Sequence, residues 1–182
     1  MKIIKNLYIM DFLQNREEKM DLKIKYKENE SLILISIMSY YAKQIFNGTK
    51  LYEFRKSPLK ESNLNKPIFV YSAKDDKAVI GSFKIKKIHK GNVNEIMNIT
   101  GYDKREDGIE ILNYFGNNPN CYALELYDIH SFEQPLTLKE MRRVNPNIQL
   151  PQYYTYIKRN SPIYNKILLL NKQLESEGKK EQ

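Results

Sequence analysis

Leu32 to Met38 reads LILISIM, apolar at every position except Ser36. Alternate side chains of a strand point to opposite faces, so this segment has no face to offer water. It predicts a central strand covered on both sides. Ser39 follows directly and is a good helix N-cap. Ala42, Ile45 and Phe46 then share one helical face, and Asn47-Gly48 ends the helix because Gly accepts a left-handed cap conformation. Lys50 to Arg55, KLYEFR, has strand propensity and alternation. A two-sided strand, a short helix and a second strand in quick succession predict an α+β chain built on a sheet.

The second strand carries the chemistry. Tyr52 and Phe54 point one way, while Glu53 and Arg55 share the other face at roughly 7 Å between Cα atoms. That is close enough for a charge-assisted pair, with Lys50 entering from the helix end. Two cations can hold a phosphate or a base edge while the carboxylate orients them. The competing reading is a solvated ion pair worth about 0–1 kcal/mol. Gln152 offers a donor and an acceptor together, and Tyr154 offers a ring for stacking. Lys84, Lys86, Lys87 and Lys90 form a basic stripe that suits either a phosphate track or a solvated face. With 30 Lys and Arg against 22 Asp and Glu, the net charge of +8 suits a polyanionic partner.

Other chemistries find little support. His89 and His130 lack partners at metal-ligand spacing, and His89 beside Lys90 reads as solvated. No metal and no cofactor is expected, since the glycines form no phosphate-cradling pattern. The single cysteine, Cys121, precludes an internal disulfide and reads as a small buried residue. No apolar run is long enough to span a bilayer, and the N-terminal residues lack a cleavage site. The chain is therefore read as cytoplasmic.

The segment Gly48-x-Lys50-x-x-Glu53-x-Arg55 resembles the G-x-K-x-x-E-x-R signature of the ASCH domain family. Three later stretches agree: Lys66–Tyr71 with Val79–Phe83, Tyr122–Leu126 leading to Pro135–Glu140, and Leu150-Pro151-Gln152-Tyr153-Tyr154-Thr155-Tyr156. The last resembles the family's closing P-P-Q-S-F/Y-x-Y, with Leu150 for the first Pro and Tyr153 for the Ser. The resemblance implies a PUA-like mixed β-barrel of about five or six strands with flanking helices. It also implies recognition of RNA, single-stranded nucleic acid or a modified base in a small polar cleft, with a possible regulatory role. The cleft would be built from Lys50, Glu53, Arg55, Gln152 and Tyr154, with Lys84 and Lys86 alongside.

Two other activities are compatible with that family. Some small ASCH proteins hydrolyse N4-acetylated cytosine with a Lys at the position of Lys50, a Thr at that of Glu53, and a later Glu. Here Glu53 replaces the nucleophile, and Glu95, Glu106 and Glu110 are the candidates for the later acid. The other activity is ribonuclease chemistry using Lys50. A protein-interaction adaptor is the alternative from a different class.

The chain divides by pattern into an N-terminal extension, 1–30, the ASCH-like domain, 31–160, and a C-terminal helix and tail, 161–182. Within the extension, Ile3, Ile4, Leu7, Met10 and Phe12 form either a weak helical stripe or an edge strand, and Leu22–Tyr26 alternates as a short strand. Gly81 inside a long strand predicts a bulge or a close backbone approach, and Lys86-Lys87 a second bulge. Asn92 and Thr137 read as helix caps. Asp107–Phe115 reads as a helix burying Ile109, Leu112 and Phe115. The last helix opens at Ser161-Pro162 and carries Ile163, Ile167, Leu168 and Leu170; residues 178–182 read as a frayed tail. Leu34, Tyr52 or Phe54, Phe69, Phe83 and Leu124 are expected in one core.

Overall fold

A computed structural model of the chain describes residues 31–177, with side chains to residue 170. The stripe or edge strand at 3–12, the strand at Leu22–Tyr26 and the tail at 178–182 lie outside the described residues. Six strands form one mixed sheet: β1 (Leu32–Met38), β2 (Tyr52–Arg55), β3 (Ile68–Ala73), β4 (Ala78–Gly91), β5 (Cys121–Thr137) and β6 (Tyr154–Ile157), in the order β2-β5-β4-β3-β1-β6. β1 and β3 run parallel, and every other pairing is antiparallel. The helices are α1 (Ser39–Phe46), α2 (Val93–Thr100), α3 (Gly108–Phe115), α4 (Leu138–Val144) and α5 (Tyr164–Glu177).

The sheet curls. In a flat sheet β2 would lie four strand spacings from β1, about 19 Å away, beyond the reach of any side chain. Instead the Arg55 guanidinium on β2 meets the Ser36 carbonyl on β1 at 2.9 Å. Among the described residues no pairing joins β2 to β6, so the strand order has two ends and does not close into a barrel.

β1 is buried on both faces, as its composition requires. Ile33, Ile35 and Ile37 pack with Ala42 and Ile45 of α1, Ile68 and Val70 of β3, Phe83 and Leu124. Leu34 and Phe69 are equally buried but belong to the opposite face, where the Phe69 ring lies 6.2 Å from that of Phe132. Phe54 belongs to a further cluster with Ile96, Met97, Tyr102, Ile111, Phe115, Cys121 and Ala123. The expected single core is therefore divided, because strands sandwiched on both faces serve two layers. α5 packs on β5 and lies in the same unit as the sheet, Leu32–Gln182.

Local signals mostly act as read. Asn92 with Glu95, and Thr137 with Glu140, form reciprocal capping boxes, each cap contributing about 0.5–2 kcal/mol. Gly81 sits where an added Cβ would lie 2.3 Å from the His130 carbonyl and 2.4 Å from the Phe46 ring, and the β4 register shifts beside it. A further shift falls between Ile85 and Lys87.

Four readings change. Ser39 is not the cap, which is Met38; its buried hydroxyl bonds the Ala73 carbonyl and accepts from Ser72 and from the Asp75 N–H, tying α1 to the turn after β3. α3 buries Gly108, Ile111 and Phe115 and leaves Ile109 and Leu112 outward, because α3 docks by the face that meets Phe54. His89 is largely buried and pairs with Glu125 at 3.2 Å; the β4–β5 ladder brings that carboxylate beside it. α5 begins at Tyr164, with Ser161 forming the turn before it.

Candidate functional site

The end of α1 sets the site. Gly48 takes φ +79°, which turns the chain back under its own helix. The Thr49 and Lys50 N–H groups both donate to the Gln44 carbonyl at 3.0 Å. Lys50 is thereby held at the junction with its side chain directed inward, and it is only 3% exposed. Its ammonium donates to Glu53 Oε2 at 2.9 Å and to the Tyr52 carbonyl. It also lies 4.9 Å from the Phe54 ring centroid and 5.7 Å from that of Tyr41, a cation–π setting that offsets part of its desolvation.

Strand alternation then places Glu53 and Arg55 side by side. Glu53 Oε1 forms an ion pair with Arg55 Nη2 at 2.9 Å, so each carboxylate oxygen holds one cation. Arg55 Nη2 also donates to the Ser36 carbonyl. Arg55 Nε is buried and has no hydrogen-bond partner. Two cations and one anion leave the cluster with one uncompensated positive charge and an unspent guanidinium donor.

Burial pushes the Glu53 carboxyl upward, but Lys50 and then Arg55 outweigh it and hold the group below the usual carboxylate range. Glu53 is therefore anionic with both oxygens engaged. The alternative of a solvated ion pair is overturned, since the Lys50, Glu53 and Arg55 side chains are 4%, 8% and 12% exposed. β2 is buried because α2 and α3 cover its Phe54 face while the curl of the sheet brings β1 to the other.

The three charges open onto a cleft of about 330 Å³ lined by Tyr41, Tyr114, Gln152 and Tyr153 as well as by the Ser36–Met38 segment. Gln152 thus joins Lys50, Glu53 and Arg55. Tyr154 does not: it pairs with Ile35 and packs against the core, its ring edge-on to Tyr156. Lys84 and Lys86 lie elsewhere, on β4, bound to Asp128 at 2.8 Å and Glu125 at 3.1 Å.

Three cleft tyrosines escaped the sequence reading. Tyr41 lies one turn before Ile45 on the inward side of α1, a spacing that could have revealed it. Its hydroxyl donates to Glu110 at 3.3 Å. Tyr114 comes from the helical insert and carries no local signal. Tyr153 is one residue from the expected Tyr154. No cluster of three or more His, Cys, Asp or Glu able to hold a metal ion occurs among the described residues.

No family model matches the chain. A curated relative, an ASCH domain-containing ribonuclease of Zymomonas mobilis subsp. mobilis, is 29% identical over 143 residues, covering 78% of this chain and 93% of the relative. The crystal structure of ASCH from Zymomonas mobilis aligns with a TM-score of 0.65 at 27% identity, over 76% of this chain and 95% of that one. The chain is thus similar in sequence and in fold to ASCH domain proteins. A mutant of the same Zymomonas protein, with a tyrosine changed to phenylalanine, aligns equally well over 99% of its length. The charged motif Lys50-x-x-Glu53-x-Arg55 forms the floor of the cleft. No described helix is long and apolar enough to cross a membrane.

Proposed function

We propose that this chain is an ASCH domain that binds RNA, with one nucleotide unit seated in the cleft over Lys50 and Arg55. The observation that carries this is the buried, partnerless Arg55 Nε beside an ammonium, in a cleft with one net positive charge. A buried donor without a partner is costly, and a phosphate or base acceptor would satisfy it. At about 330 Å³ the cleft sits at the lower end of small-ligand sites, roughly 300–1,000 Å³. The curled sheet is read as a PUA-like barrel whose open side, between β2 and β1, is the binding site. The ribonuclease name of the curated relative supports an RNA partner.

That name also favours a second reading, RNA cleavage, in which the substrate's 2′-hydroxyl attacks phosphorus and loses its proton to water while the Lys50 ammonium protonates the departing 5′-oxygen. Glu53 is not the base in such a step, since both its oxygens are engaged. The same engagement argues against Glu53 activating water in an amidohydrolase. Of the later acids, Glu95 is spent in a capping box and Glu110 meets Tyr41. Fluorescent RNA titrated at several salt concentrations tests the binding reading. Log affinity should fall with log salt at about −0.7 per phosphate neutralised; no binding at low salt overturns it. Incubating the same RNA and resolving its length tests cleavage.

A further inference from the structure

Two large rings stand exposed at the mouth of the cleft. Tyr114 is 37% and Tyr153 49% exposed, and both line it. They come from opposite sides. Tyr114 is on α3, whose Ile111 and Phe115 pack on Phe54 of β2. Tyr153 precedes β6 and is anchored to β1, where the Ser36 N–H donates to its carbonyl at 2.8 Å. Arg55 spans the space between those sides by reaching Ser36.

The Tyr114 ring is held on a firm support, and the Tyr153 main chain is fixed to β1. Tyr114 lies against Phe115, with centroids 5.2 Å apart, and under the Lys56 ammonium at 5.1 Å. Burial raises its phenol pKa, and Arg55, Glu53 and Tyr153 each act on it electrostatically, as expected for groups gathered at one mouth. Tyr153 stands where the ASCH closing motif has a serine, so the second ring is a feature of this chain.

We infer that Tyr114 and Tyr153 are the two jaws of a clamp that takes an unpaired nucleobase while its phosphate lies on Arg55. This rests on the RNA-binding reading and adds the base as the recognised group. Every base has a π-face, so the clamp is tolerant of sequence. Stacking on an aromatic side chain is strong enough to change affinity about ten-fold or more. A base held in a duplex offers no free face and is refused.

The test uses a trinucleotide RNA and a fully abasic trinucleotide of the same charge, titrated at one salt concentration. The intact chain should bind the first at least about ten-fold more tightly. Tyr153→Ser should bring the two affinities toward parity, as should Tyr114→Leu, while Tyr153→Phe should keep the preference because the ring remains. Equal affinities for the intact chain overturn the clamp and leave the RNA-binding cleft standing. So does an unchanged preference in Tyr153→Ser and Tyr114→Leu variants that melt as folded proteins. Failure to bind either oligonucleotide overturns the RNA reading, and the clamp with it.

Discussion

Arg55 of β2 donates from Nη2 to the main-chain carbonyl of Ser36 on β1, 2.9 Å away across the open side of the curled sheet. The same nitrogen meets Glu53. The guanidinium therefore bridges two strands that the sheet order keeps apart, and it has a structural role as well as a place in the cleft.

Replacing it should be costly. Arg55→Glu puts a second carboxylate beside Glu53 in a largely buried position and strands the Ser36 carbonyl. Breaking a buried ion pair by removing one partner costs about 3–5 kcal/mol, and urea denaturation should show a loss of that order. A loss under about 1 kcal/mol would mean that the cluster behaves as a solvated surface pair.

Glu53 gives a pH signature. Its folded pKa lies below the unfolded value of about 4.3, so between the two the unfolded chain binds more protons. The stabilisation is complete above the unfolded value and is lost as pH falls through the folded one. Stability measured by urea titration from neutral pH downward should decline below about pH 5, and Glu53→Gln should flatten part of that decline whatever its absolute stability. Identical slopes for the two proteins would contradict the assignment. Asp107, Glu125, Asp128 and Glu140 are lowered too and contribute to the decline that remains.

Gly81→Ala tests the close approach in β4. The new methyl would sit against the His130 carbonyl and the Phe46 ring, and a carbonyl in a ladder has little room to yield. Overpacking of this kind costs about 1–3 kcal/mol, read as a lower urea midpoint with an unchanged slope. A midpoint equal to that of the parent would show that β4 adjusts freely there.

What could be read from the sequence follows from the range of each interaction. The pairing of Glu53 with Arg55 was legible because strand alternation is local, as was the turn at Gly48. The strand buried on two sides was legible from LILISIM itself. Burial of the charged cluster was not, because it depends on β1 curling toward β2 and on the insert helices covering Phe54. Tyr114 was invisible for the same reason. Tyr153 and Tyr154 were confused because their facing depends on where β6 begins to pair with β1. The neutralisation of Lys84 and Lys86 depends on carboxylates that arrive only with the β4–β5 ladder.

The central claim is that RNA is held in the Lys50–Glu53–Arg55 cleft and not along the β4 lysines. Amide chemical-shift mapping of the isotopically labelled, unmutated chain during titration with a short single-stranded RNA tests it without disturbing the fold. The account predicts shifts concentrated at Ser36–Tyr41, Lys50–Lys56, Tyr114 and Gln152–Tyr153, with Lys84–Lys90 quiet. Shifts centred on Lys84–Lys90, or none at saturating RNA and low salt, would contradict it.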